Sequence, residues 1–389
     1  MTKDNPAPPF RLPPPRDGGV DLLIIAGEHS GDQHAARLVG ELLAKQPGLK
    51  ICAMGGPRLA AAGAQLLHDL TTSSVIGPVE VLKKYYSFFR PFFHETVRWL
   101  DEHRPRAVCS VDYGGFNIRL AGALRERGLS VKGGGKIKML YYISPQIWAS
   151  RAGRRFALAR NFDALAVIFP FELKSYADTP LPVEFVGHPF VAADYVSPVR
   201  YDPAGPILLL PGSRRSAVAR IFPTLLAGFA EFSRENADQR AVVLYPSDEI
   251  LAGLRALHPP ANVRLQPAGP PVAASAVLMS SGTASMHCAL AGIPGAITYR
   301  TDPLTYWLGR LIVKVPYLGL ANLLLNEPMY PEFIQGAATA ENLARELAAC
   351  VREPARREKT AEQAARLRKI LQQPSNGTAD WLLRQLVGV

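Results

Sequence analysis

The chain contains 389 residues, 48% of them apolar, and carries a formal net charge of +11 at pH 7. This length is too great for one ordinary hydrophobic core, so two domains are expected, and the positive charge favours an anionic partner: a phosphorylated substrate, an anionic membrane face or nucleic acid. Four widely spaced cysteines without C-x-x-C spacing argue against a metal site, and no stretch approaches the roughly 20 apolar residues of a membrane span.

A proline-rich segment, residues 1–19, comes first and is expected to be a disordered leader without the apolar core of a secretory signal. Apolar runs that are typical of strands then alternate with helical stretches. These runs lie at 21–25, 50–54, 107–111, 138–142 and 164–168. The alternation predicts an α/β domain with a parallel, doubly wound sheet over residues 20–187.

The loop after the first predicted strand reads Ala26-Gly-Glu-His-Ser-Gly-Asp32. It lacks the G-x-G-x-x-G pattern, which argues against a nicotinamide or flavin enzyme. Its density of polar groups at the carboxyl end of a strand predicts that Glu28, Ser30 and Asp32 face a ligand. The alternative is that Ser30 or Asp32 caps the following helix.

Bases alternate with aromatic residues in the segment Lys83-Lys-Tyr-Tyr-Ser-Phe-Phe-Arg-Pro-Phe-Phe93. This pattern is typical of a surface at a lipid interface, where six rings would contact the membrane or acyl chains. These rings are Tyr85, Tyr86, Phe88, Phe89, Phe92 and Phe93. Base stacking on nucleic acid is a second interpretation, and a buried helix whose lysines reach solvent is a third. Because the sequence contains no nucleic-acid recognition module, nucleic acid is not expected as a partner.

A second series of strand-like runs follows a proline-bearing linker at 187–206. The runs lie at 207–210, 241–244, 276–279 and 296–299. They predict a second Rossmann-like domain over residues 188–364. The helical segments at the end of the chain, residues 365–389, are expected to pack back on the first domain.

Two loops in the second domain have the composition of phosphate-binding turns. Their residues are Gly212, Ser213 and Arg214 in the first loop, and Ser281, Gly282 and Thr283 in the second. Each loop combines glycine and hydroxyl groups with the start of a helix, whose free backbone N–H groups and dipole attract anions. Two such loops in one domain predict a site for a nucleotide diphosphate.

Short motifs follow one another in a fixed order along the chain. They include Ala26-Gly-Glu-His-Ser-Gly-Asp32, Met54-Gly-Gly-Pro-Arg58, Ile143-Ser-Pro-Gln-Ile-Trp148, Phe185-Val-Gly-His-Pro189, Pro211-Gly-Ser-Arg214, Ser281-Gly-Thr-Ala284 and Asn322-Leu-Leu324. In this order the motifs resemble those of the lipid-A-disaccharide synthase family. The resemblance implies the GT-B fold, in which two Rossmann-like, doubly wound domains face a central cleft.

The resemblance also implies an activity in lipid A biosynthesis. An inverting hexosyltransferase would move 2,3-diacylglucosamine from UDP to the 6-hydroxyl of 2,3-diacylglucosamine 1-phosphate, giving a β-1,6 disaccharide and UDP. No cofactor or metal is expected, since the UDP-sugar is the donor substrate. The implied location is cytoplasmic and peripheral, on the inner face of the cytoplasmic membrane. The oligomeric state stays open, with a homodimer among the options.

The chain departs from the family pattern at positions where the chemistry is sensitive. Gly115 replaces an aspartate, His287 a glutamate, Ala217 an acidic residue and Tyr141 a histidine. Asp112 and Glu28 remain as candidates for the general base, although Asp112 could instead cap the turn before Phe116. His287 stays a candidate for nucleotide binding. The candidates on the acceptor side are Ser30, Asp32, Glu80, Asn117 and Asn322.

These departures keep two alternatives open. One is another GT-B enzyme that acts on a UDP-sugar, such as an epimerase. The other is a non-catalytic or altered-specificity paralogue that binds a UDP-sugar or an acylated sugar.

Overall fold

The computed structural model describes residues 10–71, 89–302, 306–307, 315–372 and 377–387. The chain divides into two compact units, Met1–Gly187 with Gln373–Val389, and His188–Gln372. Each unit is built around a parallel sheet whose strands are connected by helices, which confirms the expected α/β class.

Seven parallel strands form the sheet of the first unit. They are β1 (Leu22–Ala26), β2 (Ile51–Gly55), β3 (Gln65–Asp69), β4 (Ala107–Val111), β5 (Lys138–Tyr142), β6 (Ala164–Val167) and β7 (Val183–Phe185). Their order across the sheet is β3-β2-β1-β4-β5-β6-β7. Strands β1, β2 and β4 are buried along their whole length, because a parallel sheet is covered on both faces. The edge strands β3 and β7 are largely half-buried, and the apolar runs of the sequence did not reveal them.

Within the described part of the first unit, five helices connect these strands. They are α1 (His29–Lys45), α2 (Pro57–Ala61), α3 (Arg90–His103), α4 (Gly114–Glu126) and α5 (Arg154–Asn161). Helix α1 packs against α2, while α3, α4 and α5 pack side by side. The core between sheet and helices contains Leu23, Trp99 and Leu120, all without solvent exposure.

The N-terminal segment is ordered from residue 10, so the expectation of a disordered leader is wrong for residues 10–19. The Leu12 N–H donates to Glu95 Oε1 at 2.8 Å, and Trp99 Nε1 donates to the Pro13 carbonyl at 2.9 Å. The Leu12 side chain is buried in the core of the first unit. This proline-rich segment has no periodicity of its own, so the sequence did not reveal its contacts with α3. Residues 1–9 lie outside the described residues.

The second unit contains a six-stranded sheet and a small two-stranded one. The strands are β8 (Val199–Tyr201), β9 (Ile207–Leu210), β10 (Ala241–Tyr245), β11 (Val263–Pro267), β12 (Val272–Ala274), β13 (Ala276–Met279), β14 (Gly295–Tyr299) and β15 (Glu332–Ile334). The large sheet has the order β11-β10-β9-β13-β14-β15, and β8 pairs with β12. All pairings are parallel.

The structure describes six complete helices in the second unit. They are α6 (Arg215–Ser233), α7 (Asp248–Arg255), α8 (Thr283–Ala291), α9 (Leu320–Leu325), α10 (Ala340–Arg352) and α11 (Pro354–Leu371). The most extensive helix packing is between α6 and α10. A Cβ atom at Gly228 would lie 2.5 Å from the Cβ of Leu343, so the absence of a side chain there lets the two helices approach.

The C-terminal helices separate, and the expected boundary at residue 364 is therefore wrong. Helix α11 stays in the second unit, where Arg368 donates to the Leu290 carbonyl and Arg356 to the Gly295 carbonyl. Helix α12 (Thr378–Val387) joins the first unit, where Asp380 pairs with Lys45 at 2.7 Å. Neither helix carries a local pattern that shows which unit it packs against, so only the folded chain reveals their different partners.

Within the described ranges, no helix is both long and apolar enough to cross a membrane. The same ranges contain no group of three or more His, Cys, Asp or Glu side chains that could hold a metal ion. The four cysteines are buried and unbridged. Burial raises the pKa of the Cys109 and Cys288 thiols to about 12, which makes them unreactive core groups.

Candidate functional site

Each large sheet reverses its strand order between two neighbouring strands, β1 and β4 in the first unit and β9 and β13 in the second. From such a point the following connections run in opposite directions, which opens space beyond the carboxyl ends of the two strands. The loops after these four strands contain the two candidate bases and both predicted phosphate loops. The topology therefore defines one candidate site in each unit.

In the second unit, the two predicted phosphate loops lie side by side. The Ser280 N–H donates to the Leu210 carbonyl at 2.9 Å, which joins the loop after β13 to the end of β9. A Cβ atom at Gly212 would lie 3.4 Å from Ser280 Oγ, and one at Gly282 would lie 4.0 Å from the same oxygen. Gly212 has φ +114°, a conformation that side chains disfavour. Ser280 thus connects both loops and is a site residue that the sequence analysis did not select.

Two helices begin at these loops and point their N-termini to the same edge of the sheet. Arg214 is the N-cap of α6 and Gly282 is the N-cap of α8. Neither residue has a side-chain acceptor that could cap the first turn. The first backbone N–H groups of a helix are therefore available to an anion at both places. Gly212 and Ser281 are half-buried, whereas the other loop residues are exposed, namely Ser213, Arg214, Gly282 and Thr283.

His287 lies one helical turn beyond Thr283 and belongs to an aromatic cluster. Its Nε2 is 2.9 Å from the Tyr195 hydroxyl, and its ring centroid is 4.1 Å from that of Phe190. Burial lowers the pKa of His287 to about 4, so the ring is neutral at physiological pH. The cluster stands beside the second phosphate loop. Phe190 and Tyr195 come from a distant stretch of the chain, and no motif pointed to them.

In the first unit, Asp112 follows β4 and Glu28 follows β1, so the two carboxylates end neighbouring strands. Burial and, as a smaller contribution, the negative charge of Glu28 raise the pKa of Asp112 to about 6, and a hydrogen bond from the Tyr113 N–H limits the rise. Glu28 is exposed and is the N-cap of α1. The two candidate bases are thus close enough for the charge of Glu28 to affect the pKa of Asp112.

The backbone at Asp112 is held in an uncommon conformation. Asp112 and Tyr113 have φ values of +49° and +54°, which non-glycine residues rarely adopt. The Asp112 carbonyl accepts hydrogen bonds from Asn117 Nδ2 at 2.8 Å and from the Tyr141 hydroxyl at 2.5 Å. A Cβ atom at Gly27 would lie 2.2 Å from the Tyr113 ring, so this ring rests on the loop after β1. Strain held in place by such contacts is typical of functional sites.

Three predicted acceptor residues have structural roles. Asn117 is fully buried and positions the Asp112 backbone. Asp32 is 2% exposed and accepts hydrogen bonds from the backbone N–H groups of Gly56, Arg58 and Leu59, which caps α2. The Asp32 carboxylate is turned towards the backbone of its own unit, which argues against the predicted ligand contact. Asn117 Oδ1 is buried without a hydrogen-bond partner among the described residues, so ligand contact by Asn117 stays a prediction.

Asn322 is the third of these residues and is also fully buried. Its Oδ1 accepts from the N–H groups of Met329 and Tyr330, and its Nδ2 donates to the Tyr330 carbonyl and to Glu332 Oε1. The side chain therefore has no hydrogen-bonding capacity left for a ligand. Ser30 lies half-buried in the first turn of α1, and Glu80 lies outside the described residues.

The aromatic residues at the start of α3 divide between core and site. Phe92 is 1% exposed, so its predicted membrane contact is wrong: it packs against Phe116 with ring centroids 5.4 Å apart. Phe93 is half-buried and contacts Phe116 at 5.8 Å, and Tyr113 stacks on Phe116 at 5.7 Å. The rings of Phe93, Phe116 and Tyr113 thus form an apolar surface next to Asp112. Phe89 is half-buried, whereas Tyr85, Tyr86 and Phe88 lie outside the described residues.

The positions that depart from the family pattern have different environments. Gly115 is exposed in the first turn of α4, and a Cβ atom there would meet nothing within 4 Å. Tyr141 is fully buried and binds the Asp112 carbonyl. Ala217 is half-buried in the first turn of α6, 3.6 Å from the Cβ position of Gly212.

Comparison with known proteins identifies close sequence relatives. The family described as lipid-A-disaccharide synthetase matches residues 22–387. A lipid-A-disaccharide synthase of Geobacter metallireducens is 34% identical over 375 residues, covering 90% of this chain and 92% of the relative. Lipid-A-disaccharide synthase 1 of Legionella pneumophila strain Philadelphia 1 is 37% identical over 381 residues, covering 94% and 96%.

Solved structures with low sequence identity share the fold. A UDP-GlcNAc 2-epimerase from Neisseria meningitidis bound to UDP-GlcNAc has a TM-score of 0.60 at 11% identity, covering 95% of this chain and 100% of the other. The glycotransferase of kitacinnamycin has a TM-score of 0.57 at 15% identity, covering 94% and 99%. The predicted fold class, GT-B with two Rossmann-like domains, is confirmed.

Asp112→Asn is expected to stabilise the folded protein at pH 8. The folded pKa of about 6 exceeds the ordinary value of 3.8, so the ionised aspartate destabilises the fold above pH 6, by up to about 3 kcal/mol. Asparagine removes the charge and tolerates positive φ. The gain should fade as the pH falls from 6 to below the ordinary value of 3.8, where the aspartate becomes protonated in both states. Denaturant unfolding at pH 8 and at about pH 3 measures it, and an equal difference at both pH values would contradict the assignment.

Proposed function

The chain belongs to the lipid-A-disaccharide synthetase family, and we propose that it is the glycosyltransferase that joins two acylated glucosamine units in lipid A biosynthesis. The observation that carries the proposal is the pair of adjacent helix N-termini after β9 and β13. They supply the positive electrostatic environment that a nucleotide diphosphate requires, in a chain whose relatives carry the name of this synthase.

The proposed reaction is an inverting transfer from a UDP-linked acylated glucosamine. The 6-hydroxyl oxygen of an acylated glucosamine 1-phosphate attacks C1 of the donor sugar, and the bond between C1 and the β-phosphate oxygen breaks. The hydroxyl proton passes to a base, and the electron pair leaves with UDP. The reaction therefore needs a base for the acceptor and positive charge for the departing diphosphate.

The second unit would stabilise the leaving group. The backbone N–H groups of Ser213 and Thr283 and the guanidinium of Arg214 belong to the two adjacent loops, so they would neutralise negative charge that develops on the diphosphate. The neutral ring of His287 and the Tyr195 hydroxyl would then lie on the nucleoside side of the second loop. No cofactor enters this scheme, because the protein supplies the positive charge.

The first unit would supply the base, and Asp112 fits this role better than Glu28. A base works best when its pKa lies near the operating pH, and burial brings Asp112 to about 6. The fixed backbone at Asp112 also holds its direction. Glu28 is more exposed and acts in this scheme through its charge, which helps to keep the pKa of Asp112 high.

The acylated parts of the substrates would contact apolar surface near this base. The half-buried rings of Phe93 and Tyr113, packed on Phe116, offer such a surface. Substrates with acyl chains reside in a membrane, and the net charge of +11 suits an anionic lipid face. We therefore propose a peripheral location on the cytoplasmic side of the inner membrane.

Asp112→Asn is expected to lower kcat by about 10²- to 10⁴-fold, the usual contribution of a general base. The assay follows disaccharide formation from the acylated UDP-sugar and the acylated sugar 1-phosphate. Asp163→Asn is the matched control, because Asp163 is also an aspartate with a pKa raised by burial but lies before β6, at the opposite edge of the sheet. Full activity of Asp112→Asn would remove the assignment of the base, and no turnover by the unmodified protein would remove the proposed function.

Glu28→Gln is expected to shift the acidic limb of the kcat/KM profile to lower pH. The Glu28 carboxylate raises the pKa of Asp112, so its removal lets Asp112 ionise at lower pH. Glu41→Gln, further along α1 and paired with Arg37, should leave the limb in place. A limb that stays unchanged in Glu28→Gln would show that the two carboxylates are not coupled in the active protein.

Arg214→Ala is expected to weaken UDP binding about 10- to 100-fold, the loss that follows from removing one charge-assisted contact to a phosphate. Calorimetric titration with UDP measures the change. Arg234→Ala, at the opposite end of α6, should bind UDP as the unmodified protein does. Equal affinities of the two variants would place the diphosphate elsewhere.

A further inference from the structure

Beyond the phosphate loops, the second unit contains a surface cavity lined mainly by polar residues. The cavity is open to solvent and has a volume of about 430 Å³. This volume falls in the roughly 300–1,000 Å³ range of small-molecule sites. Its lining residues are Arg220, Arg300, Thr301, Asp302, Gln335 and Gly336. None of them belongs to the site described above.

Three elements of the fold meet in this cavity. Arg220 comes from the second turn of α6, Arg300 directly follows β14, and Gln335 directly follows β15. Because β14 and β15 are parallel to β9 and β13, the cavity lies at the same edge of the sheet as the phosphate loops. It is the edge at which α/β sheets bind ligands.

The two arginines are positioned without being tightly paired. Arg300 Nη1 donates to the hydroxyl of the buried Thr224 at 3.0 Å. Arg220 Nη1 lies 3.5 Å from Asp302 Oδ2, longer than the roughly 2.7–2.9 Å of a close charge-assisted hydrogen bond. The side chains of Arg220 and Asp302 are 48% and 42% exposed, and exposed pairs of this kind contribute little stability. An anion can therefore engage Arg220 at small cost.

The rim of the cavity is fixed by an amide clamp. Gln335 Oε1 accepts from the Thr301 N–H at 2.9 Å, and Gln335 Nε2 donates to the Thr301 carbonyl at 3.0 Å. A Cβ atom at Gly336 would meet nothing within 4 Å, so the backbone beside the clamp is open. A site whose walls are set before binding loses less entropy when a ligand enters.

We propose that this cavity binds a phosphate monoester. Two guanidinium groups supply charge and paired N–H donors that match phosphate oxygens, and the Thr301 hydroxyl adds a donor. Asp302 and Gln335 provide acceptors for sugar hydroxyls next to the phosphate. Free phosphate and a sugar phosphate share this chemistry. The site is separate from the one proposed for the UDP diphosphate and does not depend on the transfer reaction.

The test is a calorimetric titration of the protein saturated with UDP, so that the phosphate loops are occupied. The probes are inorganic phosphate, glucosamine 1-phosphate and glucosamine. Both phosphates should bind, and glucosamine should not. Arg220→Ala and Arg300→Ala should each weaken phosphate binding at least 10-fold and change the UDP affinity less than twofold. Arg264→Ala, which removes an exposed arginine of β11, is the matched control and should change neither.

The outcomes separate the two ligand sources and the two sites. Tighter binding of glucosamine 1-phosphate that Asp302→Asn abolishes would identify a sugar phosphate, and equal affinities would identify free phosphate. Phosphate binding that UDP displaces, or that both arginine variants retain, would overturn the proposal. If UDP does not bind at all, titrating phosphate into Arg214→Ala separates the sites, because only binding at the loops would be lost. Thermal melting of each variant checks that it folds. Arg300→Lys is the conservative variant, which keeps a positive charge at this position.

Discussion

The reversal of strand order in each parallel sheet is the constraint on which the candidate sites depend. Between β9 and β13 the two connections leave in opposite directions, so the ends of both strands stay uncovered and two helices begin there. The Ser280 N–H, bonded to the Leu210 carbonyl, keeps the loops adjacent. Neither loop alone would attract a diphosphate strongly, because the dipole of one helix is a modest charge that falls off within a turn. Two adjacent helix N-termini combine their partial positive charges, so together they would attract a diphosphate more strongly.

The same topology has a different chemical result in the first unit. The loops after β1 and β4 bring two carboxylates together, and burial of Asp112 makes its ionised form costly. The backbone there is also strained at two successive residues. Hydrogen bonds from the Asn117 and Tyr141 side chains to the Asp112 carbonyl stabilise this backbone, and the Tyr113 ring packs against Gly27. A cost of this kind survives in a fold when the surrounding contacts outweigh it, and it is common where a group must have a shifted pKa.

Several buried polar side chains in both units serve the backbone and not a ligand. Asp32 caps α2, and Asn322 satisfies a turn through four hydrogen bonds. A buried loop exposes N–H and carbonyl groups that must find partners, and short amide or carboxylate side chains are the residues that can reach them. These hydrogen bonds satisfy the backbone of the turns, which therefore keep their shape without a ligand. The proximity of Asp32 and Asn322 to motifs is why they resemble site residues.

The sequence by itself determined the fold class, the two-unit architecture and the positions of the two loops for which we propose phosphate binding, because those features depend on local patterns. Apolar runs of four or five residues mark buried parallel strands, and glycine, serine and arginine after such a run mark a turn into a helix. The pairing of distant segments was decided only by the tertiary structure. The leader on α3, the different partners of α11 and α12, the Tyr195 hydroxyl at His287 and the burial of Asn322 all depend on which surfaces meet, and no local pattern encodes that.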